Sequence, residues 1–142
     1  MYRQILLSID VNQPSSWEKA LPVALEFCHA SGAKLHLLGV VPDFGKPIVA
    51  QYFPADYAER ARSEAMAALK KLSAQAVPPG IDVEHLIGYG TIYQEILRVA
   101  KEVGCDLIVM ASHRPELKDY LLGPNAARVV RHADCSVLVV RD

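Results

Sequence analysis

The sequence predicts an α/β domain: a doubly wound, five-stranded parallel sheet with helices on both faces. Two observations support this fold class. Short apolar runs alternate with longer amphipathic segments along the whole chain, and right-handed crossovers turn such an alternation into a parallel sheet covered on both sides. In addition, a length of 142 residues suits one domain with a sizeable core. We therefore expect a single domain over residues 1–142.

The charge balance and the first apolar run exclude several classes of partner. The chain carries 15 basic and 16 acidic residues, with a formal net charge of -1 and no Lys/Arg-rich tract. Such a chain has no field that would attract nucleic acid or an anionic membrane. The apolar run at residues 5–9 is too short for a signal-peptide core or a membrane span. We expect a cytoplasmic protein with no nucleic-acid or membrane partner.

The three cysteines indicate a reducing environment. Their number is odd and no two of them have CxxC spacing, so reduced thiols of a cytosolic protein are expected. Free cysteines usually behave as small core residues, and a reactive thiol is the less favoured alternative. The histidines show no metal-ligand spacing, and we expect no metal site. The cysteines are Cys28, Cys105 and Cys135.

The first strand and helix can be located from their apolar residues and breakers. Residues 5–9 are apolar apart from a serine, which predicts a buried strand. Ser15 and Glu18 have the spacing of a capping box. Because a proline beyond the first turn removes a helix hydrogen bond, the helix should begin late or bend near Pro22. Gly32 is predicted to end it in the left-handed conformation.

The second strand and a long helix follow. Residues 34–41 predict a strand, whereas residues 42–54 lack periodicity. A connection of that length is unusual in a compact domain, so we expect a lid or a partner surface there. Residues 56–76 predict an alanine-rich helix with charges mainly on its outer face. Its predicted inner stripe is Ala58, Ala61, Ala65, Leu69, Leu72 and Ala76.

Residues 81–87 alternate between apolar and polar side chains, as in an edge strand with one wet face. Residues 88–90 contain two glycines and predict a turn. Thr91 and Gln94 then have the spacing of a second capping box.

The last third of the chain supplies two strands and a helix. Residues 107–110 are the most apolar strand segment, residues 124–132 predict a helix, and residues 137–140 predict the final strand. Strand 1 is expected at the centre, with the strand order reversing between strands 1 and 4. Ligands of such sheets bind beyond the carboxyl ends of the strands at that reversal. Asp10 follows strand 1 and Val40 lies at the end of strand 2, so both are expected at this position.

Several stretches together resemble the universal stress protein family over essentially the whole chain. They are ILLSID at 5–10, LLGVVP at 37–42, DLIVMASH at 106–113 and VRHADCSVLVV at 130–140. The resemblance implies a Rossmann-like fold, of the adenine nucleotide alpha hydrolase-like type, with strand order 3-2-1-4-5. It also implies a homodimer in which strand 5 pairs with its counterpart, and in some members a tetramer.

Dimerisation also follows from the final strand itself. An apolar strand at residues 136–140 on the sheet edge would be an aggregation hazard unless covered. Pairing with the same strand of a second copy covers it by symmetry. We therefore expect a homodimer through this strand.

The resemblance leaves more than one expected function, because some members of the family bind ATP and others bind no nucleotide. One branch of the family binds ATP through a motif resembling Gly-x-x-Gly, nine residues, then Gly-Ser or Gly-Thr. Here Ala111 and Arg114 replace the two first glycines, and Pro124 replaces the Ser or Thr after Gly123. A subgroup with a shorter loop is more similar and is thought to bind ATP. The alternatives are a nucleotide-free dimeric interaction module with a degenerate site, and an electron-transfer flavoprotein-like binder of a dinucleotide.

The departures from the motif weaken an anion site without removing it. Arg114 adds bulk, but a guanidinium is a strong phosphate partner. Pro124 lacks an N–H, yet proline is favoured at the first helical position. The amides of Asn125 and Ala126 would still face an anion.

The resemblance further implies individual contacts. Asp10 would hydrogen-bond a ribose hydroxyl, with the capping of a turn as the alternative, and the backbone of Val40 would meet adenine. His113 would touch phosphate, act as a base or remain a solvated loop residue. The candidate ligands are ATP, AMP or ADP, with or without Mg²⁺. The candidate nucleotide-binding residues are Ser8, Ile9, Asp10, Val40, Met110, Ala111, His113, Arg114, Gly123, Pro124, Asn125 and Ala126.

No catalytic motif accompanies these residues. The chain has no GxSxG, P-loop or HExxH sequence. We expect no catalytic residue and at most slow, incidental ATP hydrolysis. The predicted role is a regulatory module of a stress response that acts through assembly.

Overall fold

A computed structural model describes residues 1–41, 56–112 and 123–141. The segment 42–54, which was predicted to be a lid or a partner surface, lies outside these ranges. The regular elements are β1 (Gln4–Ile9), a 3-10 helix (Pro14–Ser16), α1 (Ala20–Ser31), β2 (Lys34–Val41), α2 (Tyr57–Ala76), β3 (Val83–Tyr89), α3 (Ile92–Glu102), β4 (Leu107–Ala111), α4 (Pro124–His132) and β5 (Ser136–Val140).

The five strands form one sheet in the order β3-β2-β1-β4-β5, and every neighbouring pair is parallel. β1 is central: Ile5 pairs with Leu35 on β2 and with Leu107 on β4. The chain fills one half of the sheet first and then crosses β1 to build the other half. The predicted fold class and the strand order are therefore confirmed.

Two hydrophobic layers cover the sheet. Leu7 of β1 points into a layer with Leu21 of α1 and Leu69 of α2. Its neighbour Leu6 points into the opposite layer with Ile96 of α3 and residues of α4. Because each fully buried aliphatic side chain contributes about 1.5–3 kcal/mol, both faces stabilise the central strands. This explains why those strands are almost continuously apolar.

α1 begins late, as its proline predicts. It starts at Ala20, so that Pro22 lies in the first turn, where a missing N–H removes no helix hydrogen bond. A 3-10 helix occupies the chain before it. At the other end Gly32 has a φ of 68° and donates its N–H to the Cys28 carbonyl, which confirms the predicted left-handed cap.

Both predicted capping boxes are wrong. Ser15 lies inside the 3-10 helix, whose N-cap is Gln13, and Lys19 precedes α1; neither makes a side-chain capping bond. Thr91 does precede α3, but its hydroxyl makes no capping hydrogen bond either. The sequence spacing of a capping box is therefore present at both positions without its hydrogen bond.

β3 extends two residues beyond its predicted end. Gly88 pairs with Val40 and Tyr89 pairs with Val41, so the strand continues for as long as β2 offers backbone partners. Gly88 is needed there because a Cβ atom would lie 3.0 Å from a carboxylate oxygen of Glu95. The predicted turn at 88–90 is therefore limited to Gly90, whose φ is 125°.

The inner stripe of α2 is right only in its middle. Leu69 is completely buried, whereas Ala58 and Ala76 near the two ends are exposed. The polar Ser73 is also buried. None of the helices in the described ranges is both long and apolar enough to cross a membrane.

Candidate functional site

A cavity of about 590 Å³ opens at the carboxyl ends of β1, β2 and β4. It lies where the strand order reverses, the position at which sheets of this type bind ligands. Ten of the twelve predicted binding residues lie around it, and the other two, His113 and Arg114, are outside the described residues. The ten are Ser8, Ile9, Asp10, Val40, Met110, Ala111, Gly123, Pro124, Asn125 and Ala126.

Asp10 is held at the end of β1 by two local contacts. Its backbone N–H donates to the Ser16 hydroxyl (2.9 Å), and that hydroxyl donates to the Asp10 carbonyl (3.0 Å). Its carboxylate accepts one hydrogen bond from the Asn12 N–H (3.0 Å). Because an ionised carboxylate offers about four acceptor positions, this exposed group has the capacity to accept from ligand hydroxyls as well.

The end of β2 supplies a second wall. Gly39 and Val40 both line the cavity. A Cβ on Gly39 would lie 3.3 Å from the Ile87 side chain, so the sheet is closely packed beneath this wall. Val40 is half-buried. A flat aromatic ring could therefore contact apolar side chains and strand backbone together here.

The N-terminus of α4 supplies an anion-binding element. Gly123 is the N-cap, Pro124 is the first helical residue, and the first helix hydrogen bond runs from the Ala127 N–H to the Gly123 carbonyl (2.9 Å). The N–H groups of Asn125 and Ala126 therefore lie in the first turn, where amides have no intrahelical acceptor. With the helix dipole behind them, they favour a negatively charged group.

The end of β4 completes the enclosure. Met110 is buried and Ala111 is half-buried at the strand end. The next residue, Ser112, donates its backbone N–H to the Val140 carbonyl of β5 (3.1 Å). This bond anchors the chain at the point where it leaves the sheet toward α4.

Sequence reasoning missed the contribution of α2. Tyr57, Ala61, Glu64, Ala65 and Ala68 line the cavity from the first half of this helix. The sequence offers only a partial signal: the predicted inner stripe has only alanines before its first large side chain at Leu69. Such a face is compatible with either a core or a cavity, and here it borders open space. The turn residues Asn12, Gln13, Ser15 and Ser16 were missed as well.

Cation ligands are sparse in the part of the chain that is described. No group of three or more His, Cys, Asp or Glu side chains there could hold a metal ion. Asp10 and Glu64 are the acidic residues at the cavity among those described. Mg²⁺ often binds through one or two carboxylates, waters and substrate phosphates, and this donor set fits that mode rather than a protein cage.

Comparison with known proteins agrees with the fold. A model of the universal stress protein family matches residues 1–141. The chain is 31% identical to universal stress protein G of Shigella flexneri over 144 aligned positions, covering 99% of this chain and 100% of the relative.

Solved structures give the same result. Universal stress protein UspA from Lactobacillus plantarum has a TM-score of 0.73 at 25% identity, with 99% of this chain and 98% of that chain covered. A universal stress protein solved in complex with cAMP has a TM-score of 0.63 at 25% identity, with 99% and 97% covered. The match in sequence and architecture spans nearly the whole chain, which therefore belongs to the universal stress protein family.

Proposed function

We propose that this protein binds ATP or a related adenine nucleotide in the cavity at the carboxyl ends of the strands. The observation that carries the proposal is the convergence of two elements on one cavity. An exposed carboxylate at the end of β1, Asp10, suits ribose hydroxyls, and the amide-bearing start of α4 suits phosphates. The related structure with cAMP supports an adenine nucleotide as the class of ligand.

Each part of the nucleotide has a proposed partner. The carboxylate of Asp10 accepts from the ribose, and the backbone around Val40 meets the adenine ring. The amides of Asn125 and Ala126 bind phosphate. Arg114 and His113, outside the described residues, are proposed as further phosphate contacts.

A bound Mg²⁺ would depend on the nucleotide. Among the described residues, Asp10 and Glu64 are the acidic side chains at the cavity, so phosphates and waters would supply most of its ligands. The ion would neutralise phosphate charge. The protein would contribute position and orientation, with at most slow hydrolysis.

The proposed biological role is a cytoplasmic regulatory module of a stress response. Binding would change the loop between Ser112 and Leu122, because along the chain that loop joins two walls of the cavity, β4 and α4. The surface presented to partners would then depend on the nucleotide.

A homodimer through β5 is part of the proposal. β5 is an edge strand of the sheet and its four apolar residues are only half-buried. Antiparallel or parallel pairing with a second copy would satisfy its outer backbone groups and cover this surface. Sedimentation at micromolar concentration should give twice the mass of the chain. A Val139→Pro variant should sediment as a monomer because proline cannot donate to a strand ladder, and a monomeric parent protein would contradict this part of the proposal.

The second candidate function is a nucleotide-free interaction module of the same family. The observation in its favour is Pro124, which removes one N–H from the start of α4. It predicts the same fold and dimer with an empty cavity.

One experiment separates the two functions. The protein is purified without added nucleotide and denatured, and any released small molecule is identified by mass spectrometry. A refolded sample is then titrated with ATP, AMP and cAMP by calorimetry, with GTP as the matched control. Released or rebound adenine nucleotide supports the proposed function. No released nucleotide together with no measurable heat for all adenine ligands overturns it.

A further inference from the structure

Two cysteines lie together at the end of the sheet opposite the nucleotide cavity. Cys105 comes two residues before β4, and Cys135 comes directly before β5. The register between these strands pairs Leu107 with Ser136. Both cysteines therefore lie at the amino ends of neighbouring parallel strands, where backbone spacing is about 4.8 Å.

Their side chains are neighbours. The Cys105 thiol donates a hydrogen bond to the Leu107 carbonyl oxygen (3.0 Å), and each cysteine affects the pKa of the other, as expected for two sulfurs that lie close together. Both residues are half-buried, and both line a second cavity of about 290 Å³ together with Lys101 and His132. An oxidant or reductant of small size can therefore reach them.

The third cysteine has a different environment. Cys28 is 2% exposed and packs in the hydrophobic layer on the other face of the sheet. It provides an internal control for any chemistry at the pair.

Metal binding is not the best use of this pair. A closed structural zinc site takes four protein ligands, and no cluster of even three candidate ligands occurs in the ranges 1–41, 56–112 and 123–141. Two adjacent, accessible thiols without further ligands are instead suited to thiol–disulfide chemistry.

We propose that Cys105 and Cys135 are a redox pair that hydrogen peroxide converts into an intramolecular disulfide. The Cys135 thiolate attacks one peroxide oxygen, breaks the O–O bond and becomes a sulfenic acid, while the leaving oxygen departs as water after protonation. The Cys105 sulfur then attacks the sulfenic sulfur and loses its proton, and the hydroxyl group leaves as a second water. Two thiols are oxidised by two electrons, and one peroxide is reduced to two waters.

The order of these steps follows from the different surroundings of the two thiols. Burial raises the pKa of Cys105 to about 12. Burial also raises the pKa of Cys135, with Asp106 and Asp134 adding to the effect, but the neighbouring Cys105 thiol opposes this rise. Cys135 is therefore the group that ionises first and attacks. Because both thiols are largely protonated near neutral pH, the reaction accelerates as pH rises.

The disulfide would link the elements proposed for nucleotide binding to the strand proposed for dimerisation. It closes the chain segment 105–135, which contains β4, all of α4 and the connection between them. It also fixes the beginning of β5, the proposed dimer strand. A covalent tie at this end would restrict the unfolded chain and the relative position of β4 and β5.

The test is oxidation of the full-length protein with hydrogen peroxide at about pH 9, where the thiolate fraction is greater than at neutral pH. Free thiols are then alkylated, and a tryptic digest is analysed without reduction. We expect a cross-link between the peptides 102–118 and 132–141, and a mass decrease of about 2 Da in the protein before alkylation, which dithiothreitol reverses. The Cys28→Ser variant should give the same result.

The single variants test the assigned roles. Cys105→Ser should stop at a sulfenic acid on Cys135, which dimedone traps, whereas Cys135→Ser should give no sulfenic acid at Cys105 on the same timescale. Circular dichroism checks that each variant is folded. If a variant is unfolded, the peptide map of the wild-type protein decides the proposal. The proposal is overturned if wild-type protein keeps all three thiols, forms only intermolecular disulfides, or passes to sulfinic acid without the 102–118/132–141 cross-link.

Discussion

The carboxylate of Asp10 accepts a hydrogen bond from the backbone N–H of Asn12, 3.0 Å away and two residues further along the chain. This Asx-type contact fixes the direction of the side chain at the mouth of the cavity. Ser16 holds the backbone of Asp10 from the other side. The proposed ribose acceptor is thus oriented before any ligand arrives, which reduces the ordering cost of binding.

Replacing Asp10 should weaken nucleotide binding more than it weakens the fold. A hydrogen bond to a charged group contributes about 1.5–3 kcal/mol, so Asp10→Ala should raise the Kd for ATP roughly 10-fold to 100-fold. Asp10→Asn is the matched control, because it keeps an acceptor for the Asn12 N–H and should lose less affinity. Calorimetric titration of both variants measures the effect. Identical Kd values for Asp10→Ala and the parent protein would remove Asp10 from the site.

Pro124 should limit the affinity of the anion site. Pro124→Ser adds an N–H and a hydroxyl at the first residue of α4, and one added hydrogen bond to phosphate should lower the Kd for ATP roughly 3-fold to 10-fold. Pro22→Ser is the control, since Pro22 is an exposed first-turn proline of α1 that does not line the cavity. Equal effects of the two substitutions on ATP binding would show that α4 does not contact phosphate.

Asp106 should stabilise the fold through the start of β1. Its carboxylate accepts from the backbone N–H of Arg3 (2.9 Å) and of Gln4 (3.0 Å). Asp106→Ala should lower the free energy of unfolding by about 1–3 kcal/mol, because two donors lose their acceptor. Asp134→Ala is the control: its ion pair with Lys101 is long and highly exposed, so a change of about 0.5 kcal/mol or less is expected. Urea denaturation distinguishes them, and equal losses would contradict this role.

His36 should make the fold sensitive to acid. It is 3% exposed on β2, with Nε2 donating to the side-chain amide oxygen Oε1 of Gln4 (2.6 Å) and Nδ1 2.8 Å from a Glu84 oxygen. Burial lowers the pKa of His36 below its ordinary 6.5, and the Glu84 carboxylate opposes that decrease. The unfolded chain then binds a proton more readily than the folded one, so stability is full above about pH 6.5 and falls as pH decreases below it.

Two variants separate the effect of burial on the pKa of His36 from the effect of the Glu84 charge. Glu84→Gln removes the opposing charge and should steepen the loss of stability between about pH 7.5 and pH 5. His36→Gln should flatten part of the loss, while His85, whose pKa is also lowered by burial, maintains the rest. Urea unfolding at several pH values gives the comparison. A His36→Gln curve parallel to that of the parent protein would exclude His36 as a source of the acid sensitivity.

The sheet was predictable because its signals are local and redundant. Apolar runs such as residues 5–9 can be buried in few ways, and Gly32 marks a helix end by its own conformational freedom. The end of β3 was not predictable in this way. A glycine such as Gly88 normally indicates a turn, yet here it accommodates the close approach of Glu95. The strand is extended by the pairing of Tyr89 with Val41, which is 48 positions earlier in the chain.

The candidate site shows the same division. Residues at strand ends, such as Asp10 and Met110, follow from the position of the strand-order reversal. The wall formed by α2 could not be inferred from periodicity, because a stripe of alanines is compatible with either a core or a cavity. The structure distinguishes these two possibilities, because Leu69 is buried whereas Ala61 borders open space.

The most direct test of adenine-nucleotide binding is the melting temperature of nucleotide-free protein measured against ATP concentration, with GTP in parallel. A ligand that binds only the folded state stabilises it by about 2.7 kcal/mol at one hundred times its Kd. For the parent protein, the proposed site predicts a melting temperature that rises steadily with ATP concentration and rises less with GTP. For Asp10→Ala, the melting temperature should rise least when ATP is added. A melting temperature unaffected by millimolar ATP would contradict the central claim.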